Sequence, residues 1–293
     1  MNDFAARASA AASRLSDSYE IIFVNDGPTD NAPALVKSLI KENSKIKLIE
    51  LSRNFGHHKA IMAGLEHATG QYVFLIDSDL EEAPEDLLNF HSKITSTPDL
   101  DAVYGFQINR KGAFFERFSG WIFYTLLTWL SDIPVPRNLT TTRLMSRRYV
   151  DGLMQFPERE FMFGGLVELA GFNTQGVAIN KLDKGTSSYT LKKKIDLFVN
   201  AITSMSSKPL WLIFKSGLAI TAIAFAIFFI FLVRYFLGGP SVVGWPSLIL
   251  SIWMIGGITI SFLGIIAIYL SKIFSEVKER PRYIIKSLSN MDK

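Results

Sequence analysis

The chain has 293 residues and no cysteine, and its 31 lysines and arginines outweigh 27 acids to give a net charge of +4. The absence of cysteine excludes disulfide scaffolding, thiolate metal sites and thiol nucleophiles. Hydrophobic residues make up 48% of the chain and the mean hydropathy is +0.22, yet residues 1–190 read as an ordinary globular mixture, so the apolar excess lies towards the C-terminus.

The opening stretch "MNDFAARASAAASRL" lacks the long apolar run of a signal peptide and reads as a helix. A strand follows in "YEIIFVNDG" (19–27), then a helix in "NAPALVKSLIKEN" (31–43) with apolar residues at helical spacing. "KIKLIELS" (45–52) is a strand, "HHKAIMAGLEHAT" (57–69) a helix stopped by Gly70, and "QYVFLID" (71–77) a strand. A helix in "PEDLLNFHSKI" (84–94) and a strand in "LDAVYGF" (100–106) complete the series. Strands alternating with helices of roughly 10–15 residues predict an α/β fold with a doubly wound parallel sheet. In such sheets ligands bind at the carboxyl ends of the strands, where "NDG" (25–27) and "DSD" (77–79) both fall.

"LIDSDLEEAPED" (75–86) brings a run of acids to the end of an apolar strand. Asp77 and Asp79 are two apart, so on a continuing strand they share a face. Such a pair suits a hard divalent cation, Mg²⁺ or Mn²⁺, that completes its shell with water and phosphate. A second reading stays open: Pro84 and the acids after it suit a first helical turn. His57 and His58 do not suggest zinc, because adjacent helix residues face different ways.

Beyond residue 110 the pattern changes. "FFERFSGWIFYTLLTWL" (114–130) is aromatic and nearly uncharged, either a core helix or one lying in a membrane interface. Residues 191–212 start with Lys192, Lys193 and Lys194 and continue with an apolar face, which predicts an interfacial helix. Residues 213–271 hold two apolar stretches, 216–233 and 247–270, each of membrane-spanning length. Lysine and arginine cluster before the first stretch and in the basic tail, 272–293, whereas the connecting loop offers only Arg234. This asymmetry predicts a multi-pass protein with both ends and the 1–190 domain cytoplasmic. The bases sit beside the spans, as expected for an anionic lipid surface, and no nucleic-acid module is visible.

Taken in order, "EIIFVNDGPTDN", "LIELSRNFGHHKAIMAGLEHATG", "VFLIDSDLEEAPE", "DAVYGFQINR", "RLMSRRYVDGL" and "KERPRYII" resemble the family 2 glycosyltransferases that charge polyprenyl phosphate. That group includes the dolichol-phosphate mannose synthases and the bacterial bactoprenol-phosphate glycosyltransferases. The resemblance, over roughly residues 19–285, implies a GT-A fold, a nucleoside-diphosphate-sugar donor, a divalent metal, a polyprenyl-phosphate acceptor and a site at the cytoplasmic face of a bacterial-type inner membrane. It implies Asp79 and Asp77 as metal ligands, and Asn25, Asp26, Arg53, Asn54, His58, Asp77 and Ser78 as the nucleotide-sugar contacts. It places Arg143 at the catalytic centre and, with Arg147 and Lys192, at the lipid phosphate. A homo-oligomer is compatible with this picture.

Two departures from the family pattern bear on function. Thr186 and Ser188 stand where the family's "G-E-S-K-Y" loop carries an acid and a lysine. The family also begins with a strand ending in Pro-x-Tyr-Asn-Glu, whereas this sequence opens on the helix that follows it, so the sheet is expected to lack that strand. The alternative expectation is therefore a non-catalytic or weakly active, truncated transferase-fold membrane subunit.

Overall fold

The computed structural model describes residues 1–27, 31–107, 125–126, 129–130, 139–181, 199, 202–203, 206–237 and 244–291. Helix α1 (Asn2–Ser13) precedes β1 (Ile21–Asn25), α2 (Ala32–Glu42), β2 (Ile46–Leu51), α3 (His57–His67), β3 (Tyr72–Leu75), α4 (Asp86–Ser96) and β4 (Ala102–Phe106). Each lies within a residue or two of its expected place. Then come β5 (Leu139–Ser146), α5 (Arg147–Met154), α6 (Phe163–Leu169) and β6 (Thr174–Ala178). Two long helices, α7 (Lys208–Phe236) and α8 (Trp245–Val277), lead to β7 (Ile285–Ser289).

The single parallel sheet expected from the helix–strand alternation is corrected to two mixed sheets. One has the order β1-β2-β7 and the other β3-β5-β4-β6. In the first, β1 and β2 run parallel and β7 pairs antiparallel with β2, Leu48 opposite Ser289. In the second, β5 is antiparallel to both β3 and β4, and β6 is parallel to β4. The alternation rule fails at β5, which enters between β3 and β4 as an antiparallel strand. The basic segment after α8, expected as a tail, supplies β7 and closes the first sheet beyond β2.

Local chemistry explains the tight joins. Strand β5 passes into α5 without a loop, because the Ser146 hydroxyl accepts the Tyr149 N–H at 3.2 Å and caps the new helix. Helix α5 then buries Tyr149, Val150 and Leu153 against Met62 and Leu65 of α3 and Leu166 of α6. A second cluster joins Phe4 of α1, Phe23 of β1 and Val36 of α2. The first helix and the start of α4 are also tied by charge, since Arg7 of α1 meets Glu85 at 2.7 Å.

Helices α7 and α8 are apolar on surfaces that the rest of the protein leaves uncovered: Trp253 is 78% exposed, with Leu218, Ile223 and Ile260 also exposed. Among the described residues, the helix Ser251–Val277 is long and apolar enough to cross a membrane. The expected interfacial helices fall largely outside the described residues, as do Lys192 to Lys194.

Leu153 tests the α3–α5–α6 core. Its side chain is fully buried, so Leu153→Ala should cost about 2–5 kcal/mol in denaturant unfolding of the detergent-solubilised protein. Exposed Asp151→Ala should change stability by less than about 0.5 kcal/mol.

Candidate active site

The carboxyl end of β1 and the turn after β3 converge through the start of α3. Gly27, directly after β1, has φ +96° and lies so close to the next loop that a Cβ there would sit 2.5 Å from the Asn54 nitrogen. Only glycine allows this approach. Asp26 fixes the same loop: one carboxylate oxygen accepts the Phe55 N–H at 2.7 Å and the other the Gly56 N–H at 2.9 Å. The acid thus satisfies orphan donors at the head of α3. Arg53 lies over the Phe55 ring at 4.2 Å.

From that helix head, His57 reaches across to β3's end, with Nε2 3.8 Å from Asp77. The Asp77 side chain is 35% exposed, while Ser78 and Asp79 are exposed. Asp79 accepts the Glu81 N–H at 2.9 Å, and Leu80 between them has φ +62°. A leucine in the left-handed region costs on the order of 1 kcal/mol or more. Packing of Leu80 against the Phe4–Phe23 cluster offsets that cost. Two accessible carboxylates on one short turn fit a divalent ion that keeps several water or phosphate ligands. Among the described residues no cluster of three or more metal-ligating side chains occurs, so an ion there draws further oxygens from substrate and water.

His58, expected at the nucleotide, is turned inward. Burial, with the neighbouring His57, pushes its pKa down to about 4, and its Nδ1 is buried without a hydrogen-bond partner. His57 is the histidine that faces the acid pair.

Beneath the acids lies a buried charge group that sequence reasoning only partly found. Glu82 is 1% exposed, and burial pushes its carboxyl up to about 7, against the pull of Lys181 and with a push from Asp77. Lys181, three residues past β6, sits 2.7 Å from Glu81 and 3.9 Å from Glu82. Nothing local in the sequence marks Lys181; only the parallel pairing of β6 with β4 brings it there. Arg143, opposite Leu75 in the β3–β5 ladder, is 4% exposed. Its guanidinium lies 4.9 Å over the Phe163 ring and donates to the Thr141 carbonyl at 3.3 Å. Burial lowers its pKa, while Tyr149, Glu168 and Glu82 act the other way.

Arg143 and Arg147, expected together at the lipid phosphate, lie towards opposite ends of the β3–β5 ladder. Arg147 donates its backbone N–H to Gln71 at the start of β3 and its side chain to the Gly70 carbonyl. Six residues of extended chain, about 20 Å, separate that point from Asp77. Arg148 is bound to the buried Asp101 at 2.5 and 2.9 Å. Lys192 lies outside the described residues.

Residues 5–153 match the model of glycosyl transferase family 2. The chain belongs to that family. It is 44% identical over 99% of its length, and 84% of the other's, to a glycosyltransferase-class protein of Mycobacterium tuberculosis. It is 34% identical to the glycosyltransferase YkcC of Bacillus subtilis, over 92% of this chain and 84% of that one. It is 31% identical to the prophage-derived bactoprenol glucosyl transferase of Shigella flexneri, over 91% and 87%. A solved glucosyl-3-phosphoglycerate synthase of Mycobacterium tuberculosis overlays 68% of the chain with a TM-score of 0.46 and 16% identity. The family match makes the chain a family 2 glycosyltransferase, with an α/β fold of mixed sheets. That result displaces the non-catalytic alternative.

The buried Glu82 carboxyl sets a pH dependence. In the unfolded chain it ionises near its ordinary value of 4.5, whereas in the fold it keeps its proton to about 7. Its contribution to stability is therefore full below 4.5 and lost as pH rises through 7. His58 acts oppositely, losing stability as pH falls from 6.5 towards 4. Glu82→Gln cannot ionise, so its melting temperature should gain on the wild type between pH 4.5 and pH 8 with chelator present. The gain corresponds to at most about 3 kcal/mol. A difference that does not vary with pH would contradict the buried carboxyl.

Proposed function

We propose that the protein transfers one sugar from a nucleoside diphosphate to polyprenyl phosphate at the cytoplasmic face of a bacterial-type inner membrane, with inversion. The observation that carries this is the accessible Asp77–Asp79 turn, facing the Asn25–Asp26 end of β1 across His57, in a chain related to a bactoprenol glucosyl transferase. Asp79 and Asp77 are the residues to hold Mg²⁺ or Mn²⁺, which when bound neutralises charge on the diphosphate leaving group.

The remaining steps belong to the chain's own residues. Asn25 and Asp26 border the nucleotide, with Arg53, Asn54 and Ser78 around it. Asp26 keeps a lone pair on each oxygen beyond its bonds to Phe55 and Gly56. The acceptor needs no strong base, because a phosphate monoester with a second pKa of about 6 is already largely ionised. Attack by an anion in one displacement inverts the anomeric centre. Arg143, buried beside the β3 end, lends positive potential to that anion from below.

The β2–β7 pairing supports two crossings. Residues before α7 and after α8 form one sheet, so the intervening chain leaves and returns on the same side. If Ser251–Val277 spans, α7 is the segment available for the return crossing. Lys208 and Lys215 at its start and Lys278, Arg280 and Arg282 after α8 keep that side cytoplasmic.

Asp79→Asn should abolish metal-dependent sugar transfer to bactoprenol phosphate while leaving the protein folded and in the membrane, and Asp77→Asn should do less harm. Transfer by the Asp79 variant at the wild-type rate would remove it from the metal site. Topology is tested separately. Single cysteines at Ser241 and at exposed Lys286 should react with an impermeant maleimide from opposite sides of the membrane, and labelling of both from outside would exclude the hairpin.

A further inference from the structure

Where α8 leaves its apolar stretch, a cleft of about 510 Å³ opens between the helix and Glu160. The helix wall carries Ala267, Ile268, Ser271, Lys272 and Ser275. Positions 268, 271, 272 and 275 share one helical face. Along that face the lining changes from apolar to polar within about 12 Å, at 1.5 Å per residue. The order matches the polarity of a lipid phosphate, with hydrocarbon towards the bilayer and the anion towards the cytoplasm. The apolar run of α8 ends at Leu270, and Ser271 and Lys272 follow it. Ser271, Lys272 and Ser275 then stand at the level of headgroups.

The opposite wall is held in place. The Glu276 carboxylate accepts the N–H groups of Arg159 at 2.9 Å and Glu160 at 2.8 Å. Arg159 Nε in turn donates to the Arg280 carbonyl at 2.6 Å, and Arg282 donates to the Phe156 carbonyl. The segment from Phe156 to Phe163 is thereby fastened to the end of the membrane helix. This wall adjoins α3. Glu160 pairs with Lys59 at 3.2 Å, and two residues earlier on α3 His57 faces Asp77. Phe163, at the other end of the segment, covers Arg143. Pairing with Lys59 offsets the Glu160 charge that would otherwise oppose an anion.

We infer that this cleft is the mouth through which the polyprenyl phosphate reaches the acid turn, with Lys272 contacting its phosphate and Ser271 and Ser275 beside it. The inference rests on the acceptor reading above and adds a site to it. A second groove between α7 and α8, lined by Ile213, Phe214, Leu218, Thr259, Phe262 and Ile266, is mostly apolar and has no cationic side chain.

The test uses the full chain in nanodiscs of zwitterionic lipid and measures equilibrium binding of radiolabelled bactoprenol phosphate, without any donor. Lys272→Gln should bind about tenfold to hundredfold more weakly, the loss of one hydrogen bond to a charged group. Lys272→Arg should restore most of the affinity. Lys278→Gln, a nearby charge removed outside the cleft, should bind as the wild type does. Equal binding by wild type and Lys272→Gln would overturn the mouth and leave the acceptor reading standing. Equal weakening by Lys278→Gln would overturn it too, by reducing the effect to general surface charge. Displacement of the label from the wild type by equimolar phosphatidylglycerol would assign the cleft to bulk anionic lipid instead. No binding by the wild type would remove the acceptor reading itself, and the mouth with it.

Discussion

The pairing of β7 with β2 governs how the rest of the molecule is arranged. Four register pairs, from Leu48 opposite Ser289 to Leu51 opposite Ile285, join the last strand to one near the beginning. The last strand directly follows the two long, mostly apolar helices, of 29 and 33 residues. Backbone hydrogen bonds in a sheet tolerate little displacement, so the end of α8 is fixed relative to the catalytic layer. The contacts that follow reinforce this. Glu50, mostly buried on β2, accepts from Ser287 at 2.6 Å and pairs with Lys37, and Tyr283 packs against both the α3–α5 core and the β2 cluster. The end of α8 is therefore tied to the sheet that carries β1 and to α3.

Within that frame the site balances opposed charges in different ways on its two sides. On the donor side the acids are accessible: Asp77 is part-exposed and Asp79 sits on a strained turn held by Leu80. Accessible carboxylates remain hydrated when no cation is present, so the arrangement stays stable between turnovers. On the inner side the cation is built in. Arg143 has lost its water, and the Phe163 face, backbone carbonyls and the fields of Glu82 and Glu168 replace it. A buried guanidinium of this kind is costly to assemble and needs no reorganisation when an anion arrives.

Much of this was legible in the sequence, and what was missed follows from physics that a local reading does not contain. The first four strands and their helices were readable because apolar periodicity and caps are local signals, as with Pro33 in the first turn of α2. The acid turn was readable because Asp77 and Asp79 adjoin an apolar strand. The parallel sheet was misjudged because β5 inserts from a distant part of the chain, and strand direction is a tertiary property. Arg147 was grouped with Arg143 at the lipid phosphate through the family resemblance. Yet Ser146 ends the strand there, so the next two residues belong to a helix at the opposite end of β3 from the acids. His58 was preferred to His57 although helix geometry lets only one of two adjacent residues face a given side. Lys181 carried no signal, since it is placed by pairing across 70 residues.

The same constraint explains why the segment Phe156–Phe163 is shaped as it is. It contributes little to either sheet, yet its backbone donors are spent on Glu276 and its aromatic residues on two guanidinium groups. Phe161 faces Arg282 at 6.0 Å and Phe163 faces Arg143 at 4.9 Å. A loop of ordinary composition would leave these N–H groups to water and the arginines to solvent. Here one carboxylate at the end of α8 satisfies two adjacent donors, which sets the position of the segment against the helix rather than against the sheet. The Asp77–Asp79 turn, by contrast, is positioned by β3 and the Asn25–Asp26 end by β1. The β2–β7 ladder ties the end of α8 back to the sheet that carries β1.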